Sequence, residues 1–302
     1  MAKVPLRDGE LLNVIRMGRG KPVVLLHGFG SRGSHWVPNV LPYTRQFEFF
    51  MPDLRGFGRS HHANLEGLDV FETYANDLQD MMDHFDLDDV ILGGISTGAY
   101  TCLTYNQVHG FDRVSKYLNI EHGPNSVHCP GKVNGIFGEQ QEELFQRFTE
   151  LLELARAAGG ETAYWQLPEE VRVRFRDTVA FIYSIATYRG LVKWVVDLAS
   201  KYAEPLLTRH MMPVEKWQTY LNIMQAFMHG RDTRDALSTI QVPTTLMMGR
   251  QSRYFSLESQ YELVEHIPHA KVIIFDKAGH APMVDQPIKF QKEFGRFLRA
   301  GN

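Results

Sequence analysis

One stretch, Leu92 to Tyr100 (LGGISTGAY), constrains this chain more than any other. It reads as a short apolar strand, Val90-Ile91-Leu92, running into Gly94-Ile95-Ser96-Thr97-Gly98 and then into a small-residue helix start at Ala99. A G-x-S-x-G run between strand and helix is a sharp turn that lifts a serine oxygen above the edge of a sheet. Gly94 and Gly98 have a steric reason to be glycine, because such a turn brings neighbouring backbones too close for a Cβ. The bare pattern recurs by chance, so its weight comes from the strand before it and the helix after it.

The rest of the chain fits a sheet around that turn. Val4 to Arg16 alternates about Asp8-Gly9 and predicts an antiparallel hairpin. Pro22 to Leu26 is a continuous apolar run, the pattern of a central strand covered on both faces, and it ends in His27-Gly28-Phe29-Gly30. Phe47 to Met51 is a second such run and leads to Asp53-Leu54-Arg55-Gly56-Phe57-Gly58-Arg59-Ser60. Asp69, with Glu72 three residues on, opens a helix whose one face holds Phe71, Tyr74, Leu78, Met81 or Met82, and Phe85.

Beyond the turn, Val114 to Ile120 predicts another strand, ending in Glu121-His122-Gly123-Pro124. For the next hundred residues the pattern is helical: Gln140 to Ala158, Pro168 to Thr187, Leu191 to Tyr202 and Pro213 to His229. Strands return at Pro243 to Gly249 and Lys271 to Phe275. A last helix from Pro287 is expected to turn Ile288, Phe290, Phe294, Phe297 and Leu298 inward. Strands alternating with helices imply an α/β fold with a mostly parallel sheet, interrupted once by a helical insertion.

Several function classes drop out on composition. A net charge of −3 over 302 residues gives no electrostatic reason for a nucleic acid or anionic membrane partner. No stretch approaches a membrane span, and the opening MAKVPLRDGELLNVIR lacks the apolar region of a secretory signal. The two cysteines, Cys102 and Cys129, suit a reducing compartment rather than a disulfide framework, so a cytoplasmic location is expected. Neither His122, His128 and Cys129 nor His61-His62 has the spacing of metal ligands, and no metal is expected. The glycine-rich loop after the first core strand lacks G-x-G-x-x-G, so no dinucleotide or other cofactor is expected either.

Four motifs in order carry a resemblance to the α/β-hydrolase superfamily: His27-Gly28-Phe29-Gly30, Asp53 to Ser60, Gly94 to Gly98, and Ala278-Gly279-His280-Ala281-Pro282. The resemblance spans nearly the whole chain outside the insertion. It implies an eight-stranded, mostly parallel sheet with helices on both faces. Residues 1–123 and 239–302 would form the core, with residues 124–238 as a helical cap over the active site. Ser96 is then the nucleophile, and His280 resembles the family's catalytic base, a residue type whose ordinary pKa suits proton transfer near neutrality. The backbone N–H groups of Phe29 and Thr97 are implied as the oxyanion donors. Asp53 and Arg55 are expected to tie loops together.

The third member departs from the usual pattern. The family most often places an aspartate a few residues after the strand that ends at Gly249, yet Gly249-Arg250-Gln251-Ser252-Arg253-Tyr254 holds no carboxylate, and Ser252 stands where it is expected. Glu121 is the candidate to replace it. It ends the preceding strand at the C-terminal edge where open α/β sheets build their sites, and some haloalkane dehalogenases of the superfamily carry a glutamate there. Glu258 falls on the following helix, while Asp276 and Asp285 flank His280 but are expected to point away from it or to hold the last helix.

The insertion is rich in large apolar residues, among them Tyr164, Trp165, Phe181, Tyr183, Tyr188, Trp194, Trp217, Tyr220, Met224 and Phe227. Most would form its own core, but a pocket beneath it would be apolar. The expected activity is a serine hydrolase cleaving a carboxylic ester of a hydrophobic acyl or aromatic substrate through an acyl-enzyme, with a homodimer left open. Other serine-turn chemistries of the superfamily stay open beside it: C–C bond hydrolysis, cofactor-free haloperoxidase or perhydrolase activity, and acyl transfer. So does a ligand-binding protein without catalysis. A serine rather than an aspartate at the turn argues against epoxide hydrolase and haloalkane dehalogenase chemistry.

Overall fold

The computed structural model describes residues 1–159, 163–186 and 217–300. Eight strands form one sheet: β1 (Ala2–Pro5), β2 (Leu11–Gly18), β3 (Lys21–Leu26), β4 (Phe47–Pro52), β5 (Val90–Ile95), β6 (Val114–Ile120), β7 (Thr244–Gly249) and β8 (Lys271–Phe275). Their spatial order is β1-β2-β4-β3-β5-β6-β7-β8. The β1-β2 and β2-β4 pairings are antiparallel, and all the others are parallel. The order reverses at β3, which lies between β4 and β5, so the chain leaves β3 and β5 in opposite directions and opens a crevice at their C-terminal ends.

Alternation along the central strands feeds two cores. Val24, Leu26 and Leu92 face one apolar cluster, while Val23, Leu25 and Ile91 face the other. Against the first pack α1 (Val70–His84) and α2 (Thr97–His109); against the second packs α7 (Pro287–Arg299). The sequence explains the start of α1: Asp69 is extended, and its carboxylate accepts the Glu72 N–H at 3.0 Å.

The last helix corrects one expectation. Phe290, Phe294, Phe297 and Leu298 are buried, but Ile288 is 88% exposed. Two residues advance a helix by about 200°, so Ile288 and Phe290 lie on opposite faces.

Between β6 and β7 the described residues hold α3 (Gln141–Ala157), α4 (Glu169–Ala186) and α5 (Trp217–His229), and α6 (Leu257–His266) follows β7. The two ends of the insertion are tied to each other where the chain leaves and rejoins the sheet: Ser126 Oγ donates to Phe227 O at 2.8 Å, and Thr233 Oγ1 to Pro124 O at 2.8 Å. Tyr164, Trp217, Tyr220, Met224 and Phe227 are buried, whereas Trp165 is half exposed. The expected helix Leu191 to Tyr202, the start of the one from Pro213, and Tyr188 and Trp194 lie outside the described residues, as does the Tyr183 side chain.

Candidate active site

Ser96 sits between β5 and α2 at φ 53°, ψ −122°, a backbone region that non-glycine residues enter only at a cost. Its neighbours show why the turn needs glycines. A Cβ on Gly94 would come within 2.3 Å of the Gly98 carbonyl carbon, and one on Gly98 within 2.4 Å of Leu26 O. The backbone holds the serine in place: Ser96 N–H donates to Ile120 O at 2.9 Å, and Ser96 O accepts from Tyr100 N at 2.9 Å. Thr97 opens α2, so its N–H is among the helix's unpaired donors at the positive end of the dipole.

The second loop arrives from β3. Gly28 passes so close to the turn that a Cβ on it would lie 3.3 Å from Ser96 Cβ. His27 clamps this loop. Its Nε2 accepts the Leu54 N–H at 2.9 Å, which leaves the proton on Nδ1 to donate to Gly28 O at 2.8 Å. Burial pushes its pKa down to about 4, so His27 is a neutral strut near pH 7. Phe29 follows, edge-on to Phe57 and Tyr220.

Asp53 and Arg55 act as loop ties, as their motif suggested. Asp53 accepts the N–H groups of Gly33 and Arg59 at 2.7 and 2.8 Å. Arg55 makes a two-pronged pair with Asp77 at 2.6 and 2.9 Å and reaches Asp8 at 2.6 Å.

Glu121 and His280 meet. Glu121 Oε2 lies 3.2 Å from His280 Nδ1, and the glutamate side chain is fully buried. Its other oxygen accepts the Gly249 N–H and, at 3.2 Å, the amide of Gln260. Three donors on one carboxylate keep a buried charge satisfied and aim it. With Glu121 Oε2 as acceptor, Nδ1 carries the proton and Nε2 is the basic nitrogen. Like Ser96, Glu121 has a positive φ, 58°.

The competing carboxylates are engaged elsewhere. Asp285 accepts the Gly279 N–H at 2.8 Å and so holds the loop that carries His280. Asp276 pairs with Arg250 at the surface, and Glu258 lies in the first turn of α6. Ser252, at the expected acid position, has become part of a turn: its Oγ accepts the N–H groups of Tyr254 and Phe255, each at 3.4 Å.

Two contributors escaped the sequence reading. Gln260 is buried on α6 beside Leu263, and a glutamine on that helix's inward stripe was the signal available. Tyr254 lies flat on His280, with ring centroids 4.1 Å apart and planes 14° from parallel. His122, next to Glu121, packs between Tyr100 and Phe255, and burial drives its pKa down to about 3. It is a core histidine; among the described residues no cluster of three metal-ligating side chains occurs.

Ser96, Thr97, Phe29 and His280 all line a cavity of about 940 Å³. Its inner wall is apolar, built by Ile136, Phe137, Phe148, Ile182, Met224 and Phe227. Its outer rim includes Val284 and the exposed Ile288, which gives that outward-pointing residue a place in the site. Ser96 and His280 are each only 8% exposed. Among the described residues no helix is long and apolar enough to cross a membrane.

Comparison with known proteins agrees with this architecture. The family model described as alpha/beta hydrolase fold matches residues 21–287. A pimeloyl-[acyl-carrier protein] methyl ester esterase of Aliivibrio salmonicida is 24% identical over 288 residues, covering 93% of this chain and 94% of its own. Among solved structures, an esterase from Exiguobacterium antarcticum superposes with a TM-score of 0.76 at 20% identity, covering 99% of both chains. A bromoperoxidase from Bacillus anthracis does so with a TM-score of 0.76 at 21% identity, again over 99% of both. At these identities the superpositions speak to the fold alone.

Proposed function

Because the chain belongs to the alpha/beta hydrolase family, we propose that it is a serine carboxylesterase acting on esters of hydrophobic acyl or aromatic acids. The observation that carries this is the Glu121 Oε2 to His280 Nδ1 contact of 3.2 Å beside a cavity that Ser96 and His280 share. His280 Nε2 takes the Ser96 hydroxyl proton as Oγ attacks the ester carbonyl. The N–H groups of Phe29 and Thr97 hold the oxyanion. Glu121 keeps the imidazole in the productive tautomer and stabilises the imidazolium. His280 then gives its proton to the departing alcohol, and water repeats the sequence on the acyl-enzyme to release the acid.

Further support comes from the apolar inner wall, which suits an uncharged acyl group better than a sugar or a phosphate ester, and from a curated relative that bears the name esterase. In this reading residues 124–238 cap a core formed by residues 1–123 and 239–302, and the enzyme works in the cytoplasm without a cofactor. A fluorophosphonate probe is expected to label Ser96 in the folded protein and to leave Ser96→Ala unlabelled. Nitrophenyl esters from acetate to palmitate would then rank acyl length. Failure of the folded wild-type protein to label would overturn the assignment.

A further inference from the structure

The end of β7, where relatives most often carry their acid, is rebuilt here around an aromatic ring. Ser252 Oγ accepts the N–H groups of Tyr254 and Phe255, which fixes the turn. That turn lays the Tyr254 ring on the His280 imidazole at 4.1 Å. The same tyrosine is fastened to the insertion twice. Its hydroxyl donates to Ile182 O in α4 at 2.6 Å, and its carbonyl oxygen accepts the Phe137 N–H at 2.6 Å.

We propose that Tyr254 is a positioning residue for His280 that makes the base depend on the seating of the insertion. This rests on the esterase reading above. A single edge-on hydrogen bond to Glu121 leaves the imidazole free to rock out of plane. A ring stacked on its face blocks that motion and keeps Nε2 directed at the cavity, which reacting groups need because small misplacements are costly. When His280 takes up the serine proton, its positive charge forms against an aromatic face, a favourable cation–π arrangement. The hydroxyl link to Ile182 braces the angle of the plate from α4, on top of the turn that already lays it there, so the insertion contributes to the base as well as to the acyl pocket.

Two variants separate this role from mere filling of space. Tyr254→Leu removes both plate and link, and Tyr254→Phe removes only the link. With nitrophenyl butyrate, Tyr254→Leu is expected to lower kcat at least about tenfold with KM changed less than about twofold, and Tyr254→Phe to recover all but about threefold. Wild-type kcat in Tyr254→Leu, a loss expressed in KM, or Tyr254→Phe as slow as Tyr254→Leu would overturn the positioning role. Tyr254→Phe equal to wild type would overturn the link to the insertion.

Proton NMR supplies a readout independent of turnover. The His280 ring protons, assigned by their loss in His280→Gln, should be shifted upfield by the stacked ring in wild type and Tyr254→Phe, and released in Tyr254→Leu. An unmoved resonance would overturn the stacking even if the protein proved not to be an esterase. A wild type that never labels at Ser96 would instead sink the esterase reading. Should Tyr254→Leu fail to fold by circular dichroism, Tyr254→Met, closer in length, takes its place in every arm.

Discussion

The ends of β6 and β7 lie side by side, with Ile120 opposite Met247, yet they do opposite work. The β6 end offers a carboxylate, Glu121, from a backbone at positive φ. The β7 end offers no acid, but its Gly249 N–H and the Gln260 amide of the helix beyond it hold that carboxylate, and its Tyr254 ring backs the histidine. In the esterase reading proposed above, the place of the acid is set by reach to His280 Nδ1 rather than by one strand. On that reading the two adjacent parallel strand ends divide the roles of acid and support between them.

The largest test of this division is Glu121→Gln. Loss of the acid costs about 10⁴ in kcat in a serine protease, and a fall of that order in nitrophenyl ester turnover is expected here. Adding Ser252→Asp to that variant probes whether the β7 end can take the acid back. Recovery of about tenfold is expected, because the Ser252 side chain is committed to the Tyr254 turn. Recovery to the wild-type rate would show the two ends to be interchangeable.

A smaller effect should follow from Gln260→Leu, which leaves the buried Glu121 carboxylate with one donor fewer. A charged hydrogen bond of this kind is worth about 1.5–3 kcal/mol, so kcat should fall by about tenfold or more while the acyl-length preference stays unchanged. An unaltered kcat would remove Gln260 from the support of the acid.

Much of this was legible in the sequence, for physical reasons that differ by residue. The strand runs Val23 to Leu26 and Val114 to Ile120 are local and apolar, and the Asp69 start of α1 has a local chemical signature. Glu121 is reached through the family resemblance, which leaves the end of β7 without its usual acid, together with its own place at a strand end. Gln260 offers only its place on an inward helix stripe and Tyr254 no signal of its own, because both act through tertiary contacts that no motif encodes: the Gln260 amide on Glu121 and the Tyr254 ring on His280. Ile288 was misplaced because hydrophobicity was counted without helix phase, and its side chain serves the cavity rim rather than the core.

The smallest effect concerns stability and bears on the buried surroundings of the β6 end. His122 beside Glu121 has its pKa pushed down by burial to about 3, and His27 to about 4, from an ordinary value of 6.5. Below pH 6.5 the unfolded chain therefore binds more protons than the folded one, and stability falls as pH drops toward those folded values. Each histidine should cost about 2 kcal/mol between pH 7 and pH 5. Urea unfolding at both pH values is expected to show the loss, and His122→Phe to remove its own share. An equally steep pH dependence in that variant would exclude His122 as a source.

Ser96 occupies a conformation that glycine adopts with less strain, and such positions cost about 1–3 kcal/mol. A chain under selection for abundance alone would drift toward glycine at position 96 and become sturdier as it fell silent. A serine kept there is a standing cost, borne for as long as turnover matters to the cell. This strained turn thus doubles as a marker of use: sequences that have abandoned the reaction should betray it first at this residue.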